Sequence, residues 1–147
     1  FRKRTTPMTK KQKRKNNKKS HINIHELPFI GFKFCLTIGE DETDILCDGY
    51  GIDKKLLPNF YGDSTARCST LTDEYGNNIS VVRLLEADRY KKNKDNFDSI
   101  VGLLCHECVH VAQDYMATIG EDKPSAEFQA YIIQFIFTNL LADYRQR

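Results

Sequence analysis

Residues 103–111 read LLCHECVHV and place two histidines one helical turn apart around a glutamate. The surrounding pattern predicts a helix that begins near Asp98, a suitable N-cap, and runs to about Thr118. At about 100° per residue, His106 and His110 lie only about 40° apart on the surface of such a helix. Their imidazoles can therefore reach a single metal ion.

Glu107 lies about 60° beyond His110 on the same helix, so its carboxylate can reach a water on the metal without being a ligand. A zinc hydrolase requires two neutral nitrogen ligands, an open coordination position and a nearby carboxylate base. The H-E-x-x-H motif therefore predicts zinc as the cofactor and Glu107 as the general base. The alternative interpretation is a helix that carries two incidental histidines.

A zinc site built on two histidines needs a third protein ligand, and the pattern favours Glu127. This residue follows His110 by 17 positions. It falls on a second predicted helix, 124–142, whose first residue is a proline suited to a first turn. The acidic loop between the helices reverses the chain, so we expect them to pack antiparallel. Glu121 is the main alternative ligand, and Asp114 is the weaker one.

The polar residues of the second helix share one face, whereas its other faces are almost wholly apolar. The polar face comprises Glu127, Ala130, Tyr131, Gln134 and Thr138. A stripe that begins with a carboxylate supports a ligand role for Glu127. A glutamate in the first turn of a helix is also favourable in any protein, which leaves a purely structural interpretation open.

Before the two helices the signals are of the β type. Residues 29–38 are rich in aromatic and β-branched side chains, and 45–52 resemble a shorter strand, with an acidic loop at 41–44 between them. Residues 66–72 and 79–86 flank a run of turn residues, which predicts a hairpin. Strands followed by helices indicate an α+β domain, with antiparallel strands first and two packed helices after them.

Charge divides the chain into two parts. Residues 1–20 hold ten Lys/Arg and no Asp/Glu, whereas the remainder holds 12 Lys/Arg and 20 Asp/Glu. A segment so poor in apolar residues cannot bury a core, so we expect a disordered basic arm at 1–20 and one folded domain at 21–147. The arm is suited to nucleic acid, because its cations would release counterions from a phosphate backbone. A solvated tail and docking to an acidic protein surface are the alternatives.

Composition excludes two other classes of protein. Hydrophobic residues make up 40% of the chain and charged residues 29%, and no apolar run reaches the roughly 18 residues of a spanning helix. Five cysteines at irregular spacing indicate free thiols in a reducing compartment rather than a disulfide framework. Cys105 and Cys108 are expected to pack into the core. We therefore expect a cytoplasmic protein with no membrane partner.

Residues 103–137 resemble gluzincin-type zinc metallopeptidases, in which H-E-x-x-H is followed by a short connection and a helix that bears a glutamate ligand. More narrowly, residues 105–111 and 127–131 (EFQAY) resemble small metallopeptidase-like proteins of tailed bacteriophages. The resemblance covers about 35 of the 147 residues. In larger gluzincins an Asn or Asp often accompanies the helix-borne Glu, whereas this chain has Ala130 and Tyr131 nearby.

This resemblance implies a small zincin-like domain that hydrolyses peptide bonds in a peptide or protein substrate. Zinc would be held by His106, His110 and Glu127, and Glu107 would take a proton from the activated water and pass it to the leaving amine. Tyr131 is the candidate donor to the oxyanion, with a packing role in the core as the alternative.

The resemblance also concerns the substrate and the setting of the protein. In zincins an edge strand holds the substrate backbone, and residues 79–86 are the candidate strand. A phage protein would act in the cytoplasm of the host cell or in the virion, with phage structural proteins as partners. The alternative function is that of a structural or virion-associated protein whose metal site is retained for stability.

Overall fold

The computed structural model describes residues 22–60, 65–73, 75–85 and 95–147, so the basic arm at 1–20 lies outside the described residues. The chain forms an α+β domain, as predicted, with four strands and three α-helices among these residues. In chain order the elements are β1 (Ile24–Glu26), β2 (Lys33–Ile38), α1 (Gly39–Tyr50), a 3-10 turn (Lys54–Leu56), β3 (Ala66–Thr72), β4 (Asn78–Leu84), α2 (Asp95–Thr118) and α3 (Ala126–Arg145).

The four strands form one mixed sheet in the order β1-β2-β4-β3. The predicted hairpin is confirmed, since β3 and β4 are antiparallel with Thr72 opposite Asn78. Its turn is fixed by Asp73, whose carboxylate accepts from the backbone N–H groups of Tyr75 at 2.9 Å and Asn77 at 2.8 Å. Hydrogen bonds, the Asn77 side-chain amide first, lower the pKa of Asp73. The hairpin places β4 parallel to β2, so the sheet is mixed.

Residues 41–44 and 45–52 were predicted as a loop and a strand, and both predictions are wrong: they lie mostly in helix α1. The carboxylate of Glu42 accepts from the backbone N–H of Ile38 at 2.8 Å and so satisfies a free donor before the first turn. The three acidic residues of that turn are favoured by the helix dipole. Gly51 ends the helix in the left-handed conformation.

The sheet is covered on both faces, and its side chains alternate between them with the period of two expected for strands. Phe34 and Leu36 of β2, with Val82 of β4, face the larger core beneath α2 and α3. Cys35 and Val81 face a smaller core beneath α1. Helices α2 and α3 are therefore held on one side of the sheet and α1 on the other.

Helices α2 and α3 were both predicted, with bounds that differ by a few residues. Helix α2 begins at Asp95, before the expected N-cap Asp98. Helix α3 is capped by Ser125, whose hydroxyl oxygen accepts from the backbone N–H of Phe128 at 3.2 Å. The link between the helices is short, which makes them an antiparallel pair. Neither they nor any other described helix is long and apolar enough to cross a membrane.

A buried polar network joins the end of α3 to β1 and α1. Asp143 is only 2% exposed; its carboxylate accepts from the Asn23 amide at 2.6 Å and pairs with Nε2 of His25 at 2.8 Å. Arg147 donates to the carboxylate of Glu42 at 3.2 Å and to the backbone carbonyl of Asp143 at 2.8 Å. A buried carboxylate is tolerated only when such donors surround it, so this network determines where α3 ends on the sheet.

Candidate metal centre

Helix α2 presents His106 and His110 together on its exposed side, as their spacing predicts. The two Nε2 atoms lie 3.1 Å apart, and the rings meet edge to face with centroids 4.8 Å apart. Zinc binds imidazole nitrogen at about 2.0–2.1 Å, so two tetrahedral ligands lie roughly 3.3 Å from each other. The spacing of the two nitrogens therefore suits one shared ion.

The ring of His110 is oriented by a second contact on the same helix. Its Nδ1 lies 3.3 Å from the side-chain carbonyl oxygen of Gln113. When Nδ1–H donates to Gln113, Nε2 of His110 keeps its lone pair and can bind a metal. Gln113 was missed from sequence, although its position three residues after His110, on the same helix face, was a usable signal.

Glu107 lies at the boundary between the exposed histidines and the sheet. It is 6% exposed and close enough to Cys68 of β3 to act on its ionisation. Burial first, then the charges of Asp114 and Glu107, raise the pKa of the Cys68 thiol to about 12. Cys68 is therefore a neutral thiol at physiological pH and is not an activated nucleophile. Glu107 therefore offers a buried carboxyl group next to His106 in sequence.

Asp114, the weaker alternative ligand, anchors α2 to β3. Its carboxylate accepts from the Thr70 hydroxyl at 2.5 Å, and Thr70 and Ser80 share a further hydroxyl contact of 2.5 Å. The carboxylate of Asp114 is thus directed at the sheet, one turn beyond His110. The contact joins residues 44 positions apart in the chain, and no local pattern in the sequence indicated it.

The structure does not group Glu127 with the histidine pair. Helix α2 continues from His110 to Thr118, about 12 Å along its axis, whereas Glu127 lies in the first turn of α3. An antiparallel pair therefore places Glu127 beside the end of α2. Among the described residues, no three or more His, Cys, Asp or Glu side chains form a group that could hold a metal. Glu127 as the third ligand stays a prediction.

Tyr131 is 62% exposed on α3, so it does not belong to the core. Its role as a donor to the oxyanion stays a prediction as well. Of the two cysteines that flank the motif, Cys108 is buried as expected, whereas Cys105 is exposed. Their different environments follow from the helix, because three residues rotate the side chain by about 300°.

The prediction that residues 79–86 form the edge strand for the substrate backbone is wrong. These residues lie mostly in β4, which pairs with β2 on one side and with β3 on the other. The described residues leave β1 and β3 at the two edges of the sheet. Strand β3 also contacts α2 through Thr70 and Asp114. Among the described strands, β3 therefore takes the place of β4 as the edge nearest to the histidine pair.

The site's own geometry carries the functional inference, because a fold alone does not determine an activity. No protein-family model matches the chain, and neither the curated proteins nor the solved structures contain a match.

Proposed function

We propose that this chain is a zinc-dependent peptidase domain in which His106 and His110 bind the metal and Glu107 is the general base. The observation that supports this most is the 3.1 Å separation of the two Nε2 atoms on adjacent turns of α2. Glu107 lies between the two histidines in sequence, at the edge of the exposed face of α2. It supplies the general base, which a purely structural zinc site would not need.

Zinc, when bound, supplies a Lewis acid that makes water a nucleophile at neutral pH. Glu107 accepts the proton of the attacking water and then delivers it to the leaving amine. Among the described strands β3 lies at an edge of the sheet, and its outer side over residues 68–72 would bind an extended peptide by backbone hydrogen bonds. Glu107, whose charge acts on Cys68 of β3, would then lie between the bound peptide and the histidines.

Glu127 remains our proposed third ligand. Because it lies about 12 Å along the helix axis from His110, binding would have to draw the first turn of α3 towards the histidines. Metal binding and conformation are commonly coupled in this way. Glu121 remains the main alternative, while Asp114 is the weaker one because it already accepts a hydrogen bond from Thr70.

Zinc content tests the proposal directly. Protein purified without chelator should carry about one zinc per chain, and His106→Ala or His110→Ala should remove it, because one imidazole cannot replace two. Elemental analysis of the dialysed protein provides the measurement. His21→Ala is the matched control, since it removes a histidine outside the motif and should leave the zinc content unchanged. Wild-type protein that neither contains nor takes up zinc would refute the proposal.

The third ligand is identified by comparing three variants of the zinc-loaded protein. We expect Glu127→Ala to weaken zinc affinity on the order of tenfold or more, whereas Glu121→Ala and Asp114→Asn should have smaller effects. Competition with a chromogenic chelator measures the affinity. Unchanged affinity in Glu127→Ala would reject Glu127 as a ligand, and the variant with the largest loss would identify its replacement.

The separation of charge supports a second candidate function. Ten Lys/Arg lie in residues 1–20, and the rest of the chain carries a net charge of −8. A structural or virion-associated protein could use the arm to bind nucleic acid or an acidic protein surface and keep its metal site for stability. This candidate shares the zinc site with the peptidase but predicts no hydrolysis.

Deletion of residues 1–20 tests the role of the arm. Full-length protein should bind DNA or RNA with little sequence preference, and affinity should fall steeply with rising salt because counterions are released. The truncated protein should not bind, although it should remain folded and zinc-loaded. Fluorescence anisotropy with a labelled oligonucleotide at several salt concentrations measures this. Equal binding by both forms, or binding that is insensitive to salt, would exclude an electrostatic anchor.

A further inference from the structure

Large apolar side chains cluster on the surface formed by α3 and the turn before β2. We call this surface the aromatic face; it comprises Phe29, Ile30, Phe128, Tyr131 and Phe135. Two adjoining hollows of about 640 and 540 Å³ run along it and share Phe128 as a wall. The exposed side chains present roughly 400 Å² of apolar surface, since an aromatic residue offers 150–250 Å² in all. A patch of this size on a small protein marks an interaction site.

Phe29 is held outward at a conformational cost. Its φ of 67° lies in the left-handed region, which a bulky side chain rarely adopts. The side chain is nevertheless 70% exposed, so packing against the described residues offsets little of the conformational cost. The turn is held to helix α2, because the Tyr115 hydroxyl donates to the backbone carbonyl of Pro28 at 2.5 Å. Backbone strain of this kind clusters at functional sites such as ligand clamps and switch regions.

The exposed side of α3 has the pattern of a helix that pairs with a copy of itself. The residues on this side follow one another at alternating intervals of four and three positions. This is the spacing found where two α-helices pack along their length, whether antiparallel or parallel. These residues are also arranged symmetrically about Ile136. Each residue that precedes Ile136 has a complementary residue the same number of positions after it. The matched pairs of exposed residues are Glu127 with Arg145 and Gln134 with Thr138; Tyr131 is matched by Leu141, which is half-buried against the core.

A two-fold axis requires this kind of self-complementarity, because residue i of one copy must contact residue j of the other and the reverse. In an antiparallel pair the Glu127 carboxylate of each copy would meet the Arg145 guanidinium of the other. Arg145 is exposed and lies with its guanidinium carbon 5.8 Å from the Phe97 ring, so it is available at the rim. Uncharged residues occupy the centre of the seam, as in protein interfaces generally.

We propose that the aromatic face binds a second copy of this chain, with the two α3 helices antiparallel across a two-fold axis. The hollow beside Tyr131 and Phe135 would receive aromatic side chains of the other copy, and Phe29 would gain the packing that it lacks. The roughly 400 Å² of apolar area would form the centre of the interface, since a standard interface buries roughly 800 Å² per partner. The dimer rests on packing of the aromatic face and not on the zinc chemistry; zinc ligation by Glu127 would withdraw that carboxylate from its pairing with Arg145, which lies only at the rim.

Sedimentation equilibrium of the full-length protein tests the dimer. Wild-type protein should form dimers with and without chelator, whereas Thr138→Lys should be monomeric because two cations meet near the axis. Thr138 is exposed and polar, so this change should not impair folding; Phe135→Glu should have the same effect. Tyr75→Glu, at an exposed aromatic outside the surface, is the matched control and should remain dimeric.

Two further variants separate this packing role from other roles. Tyr131→Phe should remain dimeric, because it keeps the ring and loses only the hydroxyl that the peptidase proposal uses. Phe29→Gly should raise the free energy of unfolding of the monomeric protein, since glycine adopts a positive φ without strain. The same change should weaken association on the order of a hundredfold, because the dimer loses two buried rings.

Three results would overturn the proposal. The first is a wild-type protein that is monomeric at every concentration. The second is a dimer that persists in both Thr138→Lys and Phe135→Glu, which would place the interface elsewhere. The third is a dimer lost on chelation, which would assign association to the metal. Circular dichroism of each variant verifies that a monomeric result reflects a folded chain.

Discussion

Glu107→Gln should abolish most hydrolysis while leaving zinc in place. Glutamine has nearly the same shape as glutamate but cannot accept the proton of the attacking water. Loss of a positioned general base typically costs on the order of a hundredfold or more in rate. Turnover of quenched fluorescent peptides by the zinc-loaded, full-length protein measures the effect, and elemental analysis of the same sample measures the retained zinc.

The control for this experiment is Asp98→Asn, which removes a carboxylate from an exposed site on the same helix and should not change the rate. If Glu107→Gln cleaves as fast as wild type, the peptidase mechanism is wrong. If no peptide is cleaved by the wild-type protein although zinc is bound, the structural role of the metal site is favoured instead. Zinc retention in Glu107→Gln also separates the role of a base from that of a ligand.

Asp143→Ala should destabilise the fold more than any of the other substitutions. Asp143 is buried and pairs with His25, whose side chain is only 21% exposed. Removal of one partner from a buried pair typically costs about 3–5 kcal/mol, because the other is left without compensation. We expect the free energy of unfolding to fall by about 3 kcal/mol, measured by urea denaturation monitored through circular dichroism.

Asp122→Ala removes a carboxylate from the exposed link between α2 and α3 and serves as the control, with an expected change within about 0.5 kcal/mol. Asp143→Asn tests the charge separately, since an amide can still accept a hydrogen bond. A loss below about 1 kcal/mol in Asp143→Ala would show that the network does not hold α3 to the sheet.

Local patterns in the sequence were sufficient for helices α2 and α3 and for the histidine pair. The spacing of His106 and His110 places both imidazoles on one side of any α-helix, and the 3.1 Å contact between them follows. The β3–β4 hairpin was equally accessible, because turn residues between two β-prone runs form contacts that are close in sequence. The α+β class followed from the order of these elements.

Helix α1 shows where local patterns fail. Its β-prone side chains suggested a short strand at 45–52, although Gly49 and Gly51 weakened that prediction. The structure forms a helix because Glu42 accepts from the backbone of Ile38 and because Leu46 and Cys47 pack against the far face of the sheet. Burial against a distant surface outweighs weak intrinsic propensity.

The sequence by itself therefore determined the H-E-x-x-H geometry, since it depends only on helical periodicity within one turn. Only the tertiary structure decided that β4 lies inside the sheet, that Asp114 bonds to Thr70 and that Glu127 lies beside the end of α2. These outcomes depend on strand order and on where each helix begins and ends. A shift of one turn moves a side chain about 5.4 Å along a helix, so small differences in helix bounds decide which residues meet.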